Sequence, residues 1–313
     1  MPHGAVNNST NGRVNSTNGR ARKHVVPPWF RNGFRVMGAM APGAAVTFGH
    51  RLLFTPQRLR PRDDERAVLS KGQRLSFAVD RENVVARVWG EGPTVLLAHG
   101  WGGHSGQMST LVNALVAAGF RAVAIDFPGH GESEGRLSSL VHFARAMDRA
   151  SAIFKPFHGV IAHSLGAGAV TYALAHSLQA SRAVFFAPPA DFHAWWGHFC
   201  AQVGVSDAVW HGIQRKAEGW LDVPFENIQP TQFAPRMTTP LLIVHDVYDR
   251  EVPIDQGELL ARTWPGATLQ RTEHLGHVRI LHDPRGVASA VAFLGQPALG
   301  QGTDAAARPV TAT

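Results

Sequence analysis

The sequence predicts an α/β fold, a doubly wound and mostly parallel sheet carrying a small helical insertion. Three observations predict it. Short, wholly apolar runs recur at Thr94–Ala98, Ala122–Ile125, Gly159–Ala162, Ala183–Ala187 and Leu241–Val244, as strands buried on both faces require. Helical stretches fall between most of them, at about Gln107–Ala118, Leu140–Phe154 and Leu165–Ser177, and strand–helix–strand alternation implies parallel pairing. The rhythm breaks once, between Ala187 and Leu241, where four of the eight tryptophans lie: Trp195, Trp196, Trp210 and Trp220.

From the N-terminus, residues 1–28 form a polar tail. It contains a duplication, VNNSTNGR then VNSTNGR, whose Asn, Ser, Thr and Gly cannot bury a core, so the tail is expected to be disordered. Residues 29–74 are a basic helical extension and connector. Phe30, Phe34, Met37 and Ala41 recur at helical spacing until Pro42 interrupts, and a second short helix is expected to bury Ala44, Ala45, Phe48 and Leu52. A basic, Pro-rich connector, Thr55–Arg66, follows. The body spans 75–295. Leu75–Val79 and Val84–Trp89 read as an opening antiparallel pair. The aromatic insertion is a cap at about 189–236. Thr268–Arg271 reads as a short strand and Pro284–Leu294 as the final helix. Residues 296–313 are a second disordered tail.

Composition narrows the function classes. The chain has 313 residues and is 44% hydrophobic, enough for a sizeable core. Its single cysteine, Cys200, cannot form an internal disulfide, so no oxidising compartment is needed. The net charge is +7, yet residues 1–74 alone carry 13 Lys+Arg against 3 Asp+Glu. The remainder has no basic surplus, which argues against nucleic acid as a partner. Met1–Lys23 lacks the apolar core of a signal peptide. The uncharged stretch Val36–Gly49 is 14 residues long, short of the roughly 20 a transmembrane helix needs. The expected location is cytoplasmic.

Chemistry gathers where parallel strands end. Ala162-His163-Ser164-Leu165-Gly166 lies between an apolar strand and a helix. Small residues two before and two after let a sharp turn close and expose Ser164; the plainer reading is a helix-capping serine. His99-Gly100-Trp101-Gly102-Gly103 follows another buried strand. The backbone N–H groups of Trp101 and Leu165 together form a candidate oxyanion hole, worth about 3 kcal/mol of barrier. The segment His245-Asp246-Val247-Tyr248-Asp249 ends the last clear strand, and an acid there can reach His277 in Leu275-Gly276-His277. Asp246 and His274 rival Asp249 and His277.

Taken in order, HGWGG, Asp126-Phe127-Pro128-Gly129-His130-Gly131-Glu132-Ser133, AHSLGAG, HDVYDREVP and LGH resemble the α/β-hydrolase superfamily over about residues 75–295. Ala162 replaces the first Gly of the G-x-S-x-G elbow, a departure small enough to keep the turn. The resemblance implies Ser164 as nucleophile, Asp249 as acid, His277 as base, Trp101 and Leu165 as oxyanion donors, and a helical cap after the sixth strand. The expected pocket residues are His99, His163, Trp195 and Trp196.

The function expected from the resemblance is hydrolysis of a small apolar carboxylic ester through an acyl-enzyme. Thioester or carbon–carbon bond cleavage by the same triad, or ligand binding without turnover, are the alternatives. No cofactor is expected. No metal is expected either, since HExxH and paired-Cys spacings are missing. For residues 29–66 two uses stand: packing on the body, which is preferred, or weak peripheral contact with an anionic membrane.

Overall fold

A computed structural model of the chain describes residues 26–296; within it the side chains of Ala194, Trp195, His198 and Phe199 lie outside the description. Both tail expectations therefore fall largely outside the described residues.

The body is one eight-stranded sheet: β1 (Gln73–Val79), β2 (Glu82–Trp89), β3 (Thr94–Ala98), β4 (Arg121–Asp126), β5 (Phe157–His163), β6 (Ala183–Phe186), β7 (Leu241–Asp246) and β8 (Thr268–Thr272). Their order across the sheet is β1-β2-β4-β3-β5-β6-β7-β8. β1 pairs antiparallel with β2, and β2 with β4; every later pairing is parallel. The chain winds outward on one side of β3 to reach β4, then crosses to the other side for β5. The β3–β5 boundary is thus the switch point, where the crevice for a ligand opens at the strands' C-terminal ends.

Period-two alternation divides β3 between two cores. Leu96 and Ala98 join the cluster that contains Phe143, Met147 and Ala167, from α5 (Leu140–Phe154) and α6 (Leu165–His176). Val95 and Leu97 join the opposite cluster with Leu111, Leu115 and Leu294, from α4 (Ser109–Ala117) and α12 (Pro284–Leu294). All five β3 residues are buried, which is why the run carries no polar alternation.

Between β6 and β7 the cap contains α7 (Phe192–Val203), α8 (Asp207–Leu221) and α9 (Pro230–Phe233). The remaining helices of the body are α10 (Ile254–Thr263) and α11 (Gly276–Arg279). Among the described residues no helix is long and apolar enough to cross a membrane.

The N-terminal extension forms α1 (Pro28–Met40) and α2 (Pro42–Phe54), split at Ala41–Pro42 as expected. It packs on the cap. The buried face of α2 differs from the expected one. Ala45, Gly49, His50, Leu53 and Phe54 are buried, whereas Ala44, Phe48 and Leu52 are exposed. The reason is the partner: α2 lies along α8, and glycines at both contacts bring the helices close. A Cβ on Gly49 would stand 2.5 Å from Ile213 Cδ1, and one on Gly212 would stand 2.4 Å from Val46 Cγ2. A third helix, α3 (Asp63–Leu69), starts within the basic, Pro-rich connector expected at Thr55–Arg66. Three acids in its first turn suit a helix N-terminus. The Glu65 carboxylate accepts from the Arg62 N–H at 2.7 Å, closing the turn.

Candidate active site

β5 ends at His163 and α6 starts at Leu165, so a single residue must reverse the chain. That residue is Ser164, held at φ 52°, ψ −126°. A non-glycine residue there costs about 1–3 kcal/mol and persists only where its surroundings impose it. Here the Ser164 N–H donates to Phe186 O at 2.9 Å, and the Ala167 N–H donates to Ser164 O at 2.8 Å. Small neighbours are needed. A Cβ on Gly166 would lie 2.4 Å from His99 O, and one on Gly100 would lie 2.9 Å from Ser164 Cβ. Ala162, the departure from the usual elbow, is fully buried without hindering the turn.

Ser164 Oγ lies 2.9 Å from His277 Nε2, and His277 Nδ1 lies 2.7 Å from Asp249 Oδ2. A carboxylate only accepts, so Nδ1 carries the proton and Nε2 presents a lone pair to the serine hydroxyl. Burial pushes the Asp249 carboxyl up, but the hydrogen bond and electrostatic pull of His277, with the Val252 and Glu251 N–H groups, outweigh it and hold it below the usual carboxylate range. Those N–H groups donate to Oδ1 at 3.0 and 2.8 Å, leaving Oδ2 for the histidine. Asp249 is the acid in reach. Asp246 is occupied elsewhere, accepting from the Thr272 hydroxyl at 3.0 Å, the Leu275 N–H at 2.9 Å and the Tyr248 N–H at 3.0 Å. His274 is exposed and stacks on Tyr248 with ring centroids 4.3 Å apart.

Trp101, Ser164 and Leu165 line one cavity. Among the described residues, the N–H groups of Trp101 and Leu165 have no acceptor, which leaves both open to a candidate oxyanion.

The cavity is apolar. The cap supplies Phe192, Trp196, Leu221, Phe225 and Ile228; the start of α5 and the serine before it supply Ser139, Leu140 and Val141; Pro189 and Val252 close it. Leu53 and Phe54 of α2 also line it, and nothing local in the sequence marks them as site residues. Trp196 is where it was expected, but the Trp195 side chain lies outside the described ones.

Two expected pocket residues are corrected. His99 is fully buried beneath the site. It takes the Phe127 N–H on Nε2 at 3.2 Å and donates from Nδ1 to Gly100 O at 2.7 Å. His163 is buried behind the elbow and donates from Nε2 to His277 O at 2.9 Å. Both stand at the C-terminal ends of buried strands, and each ring turns inward, beneath the loop that follows it. Burial pushes both imidazoles down to about 3, so they are neutral supports. His245, which the sequence reading named without a role, donates to Val252 O at 2.9 Å and stands 3.7 Å from Asp249 Oδ2, bracing the loop of the candidate acid. Among the described residues no cluster of His, Cys, Asp or Glu is suited to a metal ion.

Comparison with known proteins agrees with this fold. A family model described as "Serine aminopeptidase, S33" matches residues 92–222. A serine hydrolase-like protein of Danio rerio is 52% identical over 52 residues, 16% of each chain. A pimeloyl-[acyl-carrier protein] methyl ester esterase of Nitrosospira multiformis is 48% identical over 48 residues, 15% of this chain and 18% of that one. The matched stretches thus span under a fifth of these curated relatives. Among solved structures, an esterase from Exiguobacterium antarcticum superposes with a TM-score of 0.56 at 16% identity, over 70% of this chain and 98% of the other.

Proposed function

We propose that this chain, which has the fold of the α/β hydrolases and matches a serine hydrolase family model over residues 92–222, is a serine esterase that cleaves a carboxylic ester with an apolar acyl or alcohol part. One observation carries the reading: the Ser164–His277–Asp249 relay, with hydrogen bonds of 2.9 and 2.7 Å, opens into a cavity whose described lining is apolar apart from two serines.

In this reading His277 Nε2 takes the Ser164 proton as Oγ attacks the ester carbonyl. The carbonyl oxygen becomes an oxyanion between the Trp101 and Leu165 N–H groups. Asp249 keeps the imidazole in its Nδ1–H form and stabilises it once protonated. The imidazolium then gives its proton to the departing alkoxide, leaving an acyl-serine. Water, deprotonated by the same nitrogen, attacks the acyl carbon and returns the serine. An aminopeptidase reading fits less well: among the described lining residues none is acidic, so nothing there would hold a substrate ammonium.

The test is labelling by a fluorophosphonate together with turnover of p-nitrophenyl esters. Wild type is expected to be labelled at Ser164 and to hydrolyse the esters. Ser164→Ala is expected to lose labelling and about 10⁶-fold of the turnover, the scale seen when a triad nucleophile is removed. Ester turnover retained by clean Ser164→Ala protein would sink the reading.

A further inference from the structure

The cavity in front of Ser164 is not closed by the cap alone. Leu53 and Phe54, the last two residues of α2, line it although they precede the hydrolase body. We propose that the α1–α2 hairpin is the second half of the lid, and that Leu53 and Phe54 set how long an apolar chain the site accepts. This rests on the esterase reading above.

Three sets of contacts hold the pair in place. Phe54 O accepts the Ser138 N–H at 2.8 Å, tying the end of α2 to the loop that leads into α5, whose first residues share the cavity. The Phe54 ring meets Trp220 edge-on at 5.5 Å and Trp196 at 6.5 Å. The Gly49–Ile213 and Gly212–Val46 approaches seat α2 directly on α8, so hairpin and cap pack as one layer.

The connector is anchored at the same place. Arg58 donates to Gly131 O at 3.1 Å and to Gly135 O at 2.7 Å. Gln57 O lies 3.2 Å from where a Cβ on Gly102 would stand, beside the candidate oxyanion loop. The two-residue wall is therefore held from both chain directions. Leu53 and Phe54 are 7% and 4% exposed, so they form rigid wall rather than mobile surface.

A rigid apolar wall discriminates by length. Each methylene it covers changes selectivity by about fourfold, and each one it excludes reverses that gain. Leu53→Trp should fill space in the cavity and Leu53→Ala should open it. Two series of esters test this, one varying the acyl chain on p-nitrophenol and one varying the alcohol of an acetate. In the series whose chain lies against α2, L53W should lower the long-to-short ratio of kcat/KM by at least about tenfold. L53A should raise it. Val36→Ser, on the outward side of α1, should leave both profiles unchanged.

The labelling rates of Ser164 by ethyl- to dodecyl-fluorophosphonates give the same ratio without ester turnover. If wild type hydrolyses no ester, the esterase reading fails, and the wall is judged from these rates alone. The two variants act in opposite directions, so a melting curve that excludes one for misfolding leaves the other decisive. Long-to-short ratios within twofold of wild type, in both ester series and in labelling, would overturn the proposal.

Discussion

His163 donates from Nε2 to the backbone carbonyl of His277 at 2.9 Å, so the residue before the candidate nucleophile holds the loop that carries the candidate base. The rings of the two histidines stand 4.7 Å apart. The contact locks the elbow and the α11 loop at one distance, on which the Ser164–His277 hydrogen bond depends.

His163 should therefore act as a positioning residue. Glutamine can place an amide N–H where Nε2 stands, and leucine cannot. His163→Leu takes this donor away from the His277 carbonyl, a loss of about 1–3 kcal/mol. We expect kcat for ester hydrolysis to fall about 10- to 100-fold in H163L with KM little changed, and H163Q to recover most of it. Because burial keeps His163 neutral down to about 3, the pH–rate profile of H163Q should match wild type. An acid limb displaced in H163Q would show that His163 titrates in the working range.

The two acids at the end of β7 should separate cleanly. Asp249→Asn is expected to lower kcat by a factor of the order of 10⁴, because an amide favours the wrong imidazole tautomer. Asp246→Asn removes an acceptor from Thr272 and Leu275, so its main effect should be a lower melting temperature with kcat within about tenfold. Steady-state kinetics and thermal melts of both variants check this. A larger kcat loss in D246N than in D249N would move the acid to Asp246.

Most of the sheet was legible because burial on both faces leaves a direct trace, as in Thr94–Ala98, where every residue is buried. The turn at Ser164 was legible because so tight a turn needs small residues two positions before and two after, here Ala162 and Gly166. The choice between Asp246 and Asp249 was not visible in the residues themselves. Both sit at one strand end, and the deciding fact is which carboxylate the Thr272 and Leu275 groups already occupy. His99 and His163 were misplaced because membership of a motif at a strand end says nothing about side-chain direction. Leu53 and Phe54 were invisible as site residues because their partners, α8 and the start of α5, lie far along the chain. The register of α2 was misjudged for the same reason, since Gly49 faces Ile213 and no local pattern announces it.

Acid should destabilise the protein early. Burial pushes His99, His130 and His163 down to about 3 and His142 to about 4, against an ordinary value of 6.5. Unfolding frees these imidazoles to take protons near their ordinary value. Below about pH 6.5 the unfolded chain thus binds more protons than the folded one, and stability falls with pH. Their contribution is complete above that point and is lost progressively as pH drops toward about 3. Melting temperatures at pH 8, 6, 5 and 4 should decline, with most of the fall below about pH 6. A flat melting temperature from pH 8 to 4 would show that these rings are hydrated or charged in the fold.

Removing residues 1–54 should cost the protein its solubility rather than a membrane anchor. At 100° per residue, α1 has three sides. Phe30, Phe34 and Met37 lie along the side packed on α2 and the cap, where Phe30 and Phe34 meet Phe48 at 6.3 and 5.9 Å. Trp29, Val36 and Met40 form a second side and are exposed. Arg31 and Arg35 occupy a third, and their Cγ atoms lie 2.5 and 3.4 Å from where a Cβ on Gly204 of the cap would stand. An interfacial helix needs its cations free to reach the headgroups, and these two stand against the cap. Here the exposed apolar row and the arginines diverge by more than a right angle, so only one of them can meet a surface squarely. Short helices with about 1 kcal/mol per basic residue near anionic lipid then bind weakly at best. The truncated chain, by contrast, uncovers Val209, Ile213 and Ala217 of α8 and opens the cavity that Leu53 and Phe54 close. A patch of that kind promotes aggregation. The expected result is a lower melting temperature, aggregation on concentration and ester turnover that no longer depends on chain length. Full-length protein should show only slight, salt-sensitive co-sedimentation with phosphatidylglycerol vesicles. A truncated protein that keeps its melting temperature but loses strong vesicle binding would reverse the assignment and make the hairpin a membrane arm.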